Sequence, residues 1–213
     1  MNRTALALIF ATSTLLPISS ASAAITVYGA NLTGAQEVPS NPSPGTGFAE
    51  ITVDDVLATM RVEVVFSGLI GTTSASHIHC CAPAGTNIIV ATELPLFTGF
   101  PTGVTSGTYD HTFDMTQASS YNPAFVTAHG GTISDAFAAL VNGMATSTAY
   151  LNIHTNLSPG GEIRGQLAPI PEPSTWAMML FGFAVIGMAI RRRPRLDAEA
   201  ARTPSSARLP GGS

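Results

Sequence analysis

Short runs of alternating apolar and polar residues, broken by glycine or proline, fill positions 24–168 of this 213-residue chain and constrain its fold most. Phe48-Ala49-Glu50-Ile51-Thr52-Val53 is one run. After Asp54-Asp55 a second puts Met60, Val62, Val64 and Phe66 on one face, with Arg61 and Glu63 on the other. Successive strand residues point to opposite sides of a sheet, so two such runs a turn apart predict an antiparallel hairpin with one buried face. Residues 25–28, 88–91 and 108–113 are further strand candidates. Residues 149–155 and 162–167, joined by the loop Asn-Leu-Ser-Pro-Gly-Gly, form the clearest hairpin. One stretch departs from this period: Ile133, Phe137, Leu140, Val141 and Met144 fall at helical spacing, with Ser134-Asp135 as a start signal and Asn142-Gly143 as a stop. That spacing predicts one short helix over about 134–142. Many short strands and one helix imply an all-β Greek-key sandwich or barrel, one domain over 24–168.

Both ends of the chain differ from this body. Residues 1–23 carry one early charge (Arg3), an apolar run from Ala5 to Leu16, and Ala21-Ser22-Ala23 before a cut. This is the layout of a secretory signal peptide with cleavage after Ala23, and the run is well short of the roughly 20 residues of a spanning helix. At the other end Pro171-Glu172-Pro173 precedes an uncharged apolar stretch, 174–190, and then Arg191-Arg192-Arg193. That stretch approaches a bilayer span, and the three arginines predict a cytoplasmic C-terminal edge with Trp176 at the opposite interface. Residues 194–213 have no apolar periodicity and read as a disordered tail. Residues 171–193 resemble the PEP-CTERM sorting signal of Gram-negative bacteria, with its Pro-Glu-Pro motif, hydrophobic helix and basic cluster in order. The resemblance implies processing by an exosortase, transient anchoring in the membrane through 174–190, and delivery to the cell surface or an exopolysaccharide-containing matrix. Such signals usually end soon after the arginines, whereas this chain continues for twenty residues.

The body holds ten acids against Arg61 and Arg164, a formal −8, and the chain has no lysine. Such a surface does not make the phosphate contacts that release counterions, which excludes nucleic acid as a partner. It suits solubility, divalent cations or basic partners. There is no Gly-x-Ser-x-Gly, His-Glu-x-x-His or phosphate loop.

Five blocks in order carry a second resemblance: Gly34-Ala35-Gln36-Glu37-Val38-Pro39, Phe66-Ser67-Gly68-Leu69, His77-Ile78-His79, Leu151 through Thr155, and Pro159 through Leu167. Together they resemble the CHRD domain across nearly all of 32–167. The resemblance implies an immunoglobulin-like or superoxide-dismutase-like β-barrel and assigns no activity. Where members of that family commonly continue His-Ile-His-Gly-Pro, this chain has His-Ile-His-Cys-Cys.

On a strand, His77 and His79 point to one side while Ile78 enters the core, a recurrent way to offer two imidazoles to copper or zinc. His154 shares a strand face with Tyr150 and Asn152, and Glu162 stands across the loop from it. Convergence of His77, His79, His154 and Glu162 is the candidate metal site. The competing reading is a polar network that sets strand register, with Glu162 and Arg164 paired on an exposed face. His111 and His129 read as loop residues. Cys80 and Cys81 are the chain's two cysteines. Export to an oxidising compartment favours a vicinal disulfide, against buried thiols, an intermolecular bridge or thiolate ligands. The leading functional expectation is a non-catalytic exported domain that binds a matrix polysaccharide, a protein or a metal ion. The alternative is a copper- or zinc-dependent enzyme of superoxide-dismutase type.

Overall fold

The computed structural model describes residues 25–171 and 173–191. The signal-peptide reading with Ala23, the sorting-signal residues Glu172, Arg192 and Arg193, and the tail expected over 194–213 lie outside them. The chain divides into two compact units that meet after Ile170.

The first unit is built mainly of β-strands. Strands β1 (Ile25–Thr33), β2 (Thr46–Asp54), β3 (Thr59–Ser67), β4 (Thr73–Cys80), β5 (Gly107–Asp114), β6 (Ala149–Thr155), β7 (Ile163–Gln166) and the short β8 (Ala168–Pro169) form one sheet. The spatial order is β4-β6-β7-β1-β2-β3-β5, with β8 also on β1, and every pairing is antiparallel. The alternating runs set the register: Ile51 lies opposite Val62, and Ile78 opposite Leu151. Tyr28, Leu32, Ile51, Val62, Val64, Ile78, Leu151, Ile153 and Ile163, drawn from six strands across the sheet, belong to a single buried cluster. The sheet is therefore curled around one core, and burial of alternate residues is the main favourable term holding it.

Residues 88–104 lie along the outer edge of β4. Ala91 N–H donates to the Ile78 carbonyl (2.9 Å), Phe97 N–H to Ser76 (3.2 Å) and Thr73 N–H to Val104 (2.8 Å). The Tyr109 hydroxyl on β5 donates to the Thr98 carbonyl (2.9 Å), tying this strap to the far edge strand. The strand expected over 88–91 is reduced to a single bridge from Val90 to His79, with a second from Thr92 to Tyr121, because the strap bonds to the edge of β4 only at scattered residues.

Two helices stand where one was expected. Helix α1 (Pro123–Ala128) starts from Asn122, whose side chain accepts from Ala124 N–H, and carries proline at its first position. Its six residues are too few to show a period. Helix α2 (Ile133–Ala145) is capped by the Thr132 hydroxyl, which accepts from Asp135 N–H, and continues through Gly143 to end at Ala145. Ala136, Leu140 and Met144 are its fully buried apolar side chains.

The second unit contains helix α3 (Pro173–Arg191), which covers the apolar stretch 174–190 and ends at the first arginine of the triplet. Met179, Leu180, Phe181, Phe183, Val185, Ile186 and Met188 are exposed along it. Among the described residues, no helix is long and apolar enough to cross a membrane.

Candidate functional site

The pairing of β4 with β6 places His77 opposite Asn152, His79 opposite Tyr150 and His154 opposite Ala75. These residues alternate with Ile78, Leu151 and Ile153, which face the core, so the imidazoles lie on the sheet's outer side. That side is roofed by loops, leaving His77 and His79 buried and His154 half-buried.

Each ring donates one N–H to a main-chain carbonyl. His77 Nε2 lies 2.6 Å from the Pro95 carbonyl, His79 Nδ1 2.6 Å from Ile88, and His154 Nδ1 2.9 Å from Pro159. A carbonyl only accepts, so these three nitrogens carry the protons and the lone pairs fall on His77 Nδ1, His79 Nε2 and His154 Nε2. One nitrogen from each ring lies within 4.8 Å of the others, the group of this kind found among the described residues. His77 Nδ1 and His154 Nε2 are 3.4 Å apart with both protons committed elsewhere. Two nitrogens held at about 2.0–2.1 Å by a tetrahedral ion stand about 3.4 Å apart.

Burial pushes all three imidazoles below their ordinary pKa: His79 to about 4, and His77 and His154 in the same direction. The rings are neutral at neutral pH, the form in which histidine ligates. Carbonyl acceptors on the opposite nitrogens orient the rings and raise their basicity, as outer partners of metal-bound histidines do.

Behind the rings lies a buried polar layer. Tyr150 stacks on His79 with centroids 4.7 Å apart, and the Arg164 guanidinium sits 4.6 Å from the centre of the Tyr150 ring. Arg164 donates to the Gln36 carbonyl (2.6 Å) and to Asn87 Oδ1 (3.0 Å), and pairs with Glu37 at 3.5 Å. Burial raises the Glu37 carboxyl to about 7 despite the guanidinium beside it. Among the described residues, four buried side-chain atoms have no hydrogen-bond partner: Glu37 Oε1, His79 Nε2, Asn152 Oδ1 and Arg164 Nη2. All four belong to this layer.

Glu162 does not join the imidazoles. Its carboxylate accepts from the Ser43 hydroxyl (2.7 Å), Ile70 N–H (2.6 Å), Gly71 N–H (3.0 Å) and the Thr155 hydroxyl (2.7 Å). Burial raises its pKa, but these four hydrogen bonds outweigh that and hold it below the usual carboxylate range. The group of ligand atoms within 4.8 Å of one another holds the three histidines and not Glu162, so the expectation that Glu162 completes a metal site with them is corrected. Nor does Glu162 pair with Arg164 on an exposed face, since both are buried and Arg164 takes Glu37 instead. Glu37 was not singled out as a site residue, because an isolated acid in a loop has no periodic signal. Its place in the first of the five sequence blocks was the available clue.

Cys80 and Cys81 are joined in a disulfide, and Cys80 is fully buried beside helix α2. His111 lies on β5 opposite Val62, not in a loop as expected, and packs against Phe113 with centroids 4.6 Å apart; His129 Nδ1 lies 3.0 Å from the Phe125 carbonyl at the end of α1. Both stand apart from the three-histidine group. Of the sorting-signal residues, Pro171 precedes helix α3, Pro173 begins it and Arg191 ends it.

Comparison with known proteins agrees with this architecture. A family model for the CHRD domain matches residues 28–167, and one for the PEP-CTERM protein-sorting motif matches residues 169–193. No curated protein and no solved structure matches the chain.

Proposed function

The chain belongs to the CHRD domain family and carries a PEP-CTERM sorting motif over residues 169–193, and on that premise we propose that it is a non-catalytic, metal-holding domain of the cell surface. The motif marks the chain as an exported, sorted β-domain protein of the Gram-negative envelope and implies processing by an exosortase. The finer reading is ours. A signal peptide ending at Ala23 opens the route. Helix α3 holds the chain in the membrane until processing, and residues 24–168 are then released to the surface or the extracellular matrix, where a polysaccharide or protein is the partner. The exposed apolar side chains of α3 and Arg191 at its end support the anchoring step.

The observation that carries the metal reading is that one nitrogen each of His77, His79 and His154 lies within 4.8 Å of the others, while every ring is held by a carbonyl on one nitrogen and keeps a lone pair on the other. Neutral imidazoles suit zinc or copper. The role is binding because every imidazole proton is already donated to the main chain and none is poised for transfer to a substrate.

Dialysis of the purified chain against zinc or copper, followed by metal analysis, should give about one ion per chain, lost in His77→Ala and His154→Ala. Wild-type protein that retains neither metal overturns the reading. Superoxide dismutation by the copper-loaded chain at enzymatic rates would instead establish the oxidoreductase alternative. Mass spectrometry of the mature C-terminus should find it within the sorting segment; an intact Ser213 on the surface-located protein contradicts processing.

A further inference from the structure

Of the four unpartnered atoms in the polar layer, two lie on the imidazole face. His79 Nε2 carries a lone pair because Nδ1–H is given to the Ile88 carbonyl, and Asn152 Oδ1 is an amide oxygen with no proton to give. Both side chains are at least nine-tenths buried, Asn152 at 2% exposure and His79 at 9%. Buried acceptors are normally paired, and the low local dielectric makes an unpaired one costly. Two acceptors cannot satisfy each other, so both are open to a shared donor or cation.

Asn152 is well placed to share a ligand with the histidines. It lies directly opposite His77 on the paired strand and two residues before His154, on the same face as all three rings. Its nitrogen lies towards Gly161: a Cβ there would fall 2.9 Å from Asn152 Nδ2 and also against Glu37 Oε1. Rotating the amide by half a turn would set its oxygen on the side of the Glu37 oxygen, replacing a donor there with a second acceptor.

We propose that Asn152 Oδ1 is the fourth ligand of the cation held by His77, His79 and His154, giving a closed set of three imidazole nitrogens and one amide oxygen. This rests on the metal reading above and narrows it. An oxygen donor beside imidazoles favours a divalent borderline cation, zinc or copper(II), over soft copper(I), which prefers thiolate and thioether sulfur. Four protein ligands without an exchangeable water are the pattern of a structural centre, whereas catalytic zinc keeps an open position. The four donors are neutral, so the bound ion retains its full charge.

The test compares wild-type full chain with Asn152→Ala, Asn152→Asp and His77→Ala, each loaded with zinc for affinity and cobalt(II) for visible absorption. Far-ultraviolet circular dichroism shows which variants are folded. Asn152→Ala should bind zinc about tenfold or more weakly, with an altered cobalt spectrum as water enters. Asn152→Asp, which keeps an oxygen in place and adds charge, should retain the four-coordinate spectrum and bind more tightly than wild type. Wild-type zinc affinity and an unchanged cobalt spectrum in folded Asn152→Ala overturn the fourth ligand, while loss of both metals in His77→Ala leaves the three-histidine centre standing. If wild type takes up neither zinc nor cobalt, the centre itself falls. Should Asn152→Ala not fold, Asn152→Asp decides alone: weaker zinc binding than wild type refutes the proposal.

Discussion

Glu162 shows how one side chain can serve a fold without serving its site. Its two oxygens collect four hydrogen bonds from the 43 loop, the 70–71 turn and β6, fastening segments far apart in sequence. Glu162→Gln replaces one acceptor oxygen with an NH₂ facing donors, so urea unfolding should report a loss of about 2–4 kcal/mol. Zinc affinity of the folded variant should be unchanged, because none of those bonds reaches an imidazole. A tenfold fall in affinity with stability intact would return Glu162 to the metal site. The alternation of β4 and β6 made it legible that His77 and His79 share one strand face and that His154 lies on a polar one, while the pairing that makes them neighbours is tertiary. The carboxylate could not be placed in the same way, because its partners come from irregular backbone whose course no periodicity reveals.

Helix α2 carries a conflict between local propensity and packing at Gly143. Asn142-Gly143 reads as a stop signal, yet the helix runs through it. The reason is tertiary: a Cβ at Gly143 would collide with Cys80 Sγ, so the missing side chain makes room for the disulfide at the end of β4. Intrinsic propensity favours alanine over glycine in a helix by about 1 kcal/mol. Overpacking against a buried sulfur costs about 1–3 kcal/mol, and we expect it to win. Gly143→Ala should therefore lower the melting temperature; a rise would show that the sulfurs can yield. At this scale the two hairpins and α2 were readable from period alone. Helix α1 and the 88–104 strap were not, since one is too short for a period and the other takes its shape from the edge of β4.

For the whole domain, buried titratable groups set the response to pH. The imidazoles have an ordinary value of 6.5 that the fold depresses, His79 to about 4. Below 6.5 the unfolded chain takes up protons that the folded imidazoles resist, so their contribution is present above 6.5 and lost as pH falls through their depressed values, about 4 for His79. Glu37 acts with opposite sign: its folded value of about 7 exceeds the ordinary 4.5, so its contribution is full below 4.5 and disappears as pH rises through 7. Three imidazoles oppose one carboxyl. The melting temperature of EDTA-treated protein should therefore fall on acidification from pH 6.5 to 4, and a flat profile would mean the rings are not buried neutral. With zinc present the melting temperature should rise at pH 7, because a ligand bound only by the folded state stabilises it.

The sequence by itself determined the all-β class, the two principal hairpins, the sorting segment and the face on which the histidines lie. Each of these depends on a period or on the order of residues along the chain, and that information is local. Only tertiary structure decided that Glu162 is taken up by Ser43, Ile70, Gly71 and Thr155, that Arg164 is buried against Glu37, and that Asn152 carries an unpaired oxygen. Those outcomes depend on where loops 34–45, 81–104 and 156–161 cross the outer side of the sheet. Loop paths are set by long-range hydrogen bonds and burial, which leave no repeating mark in the sequence.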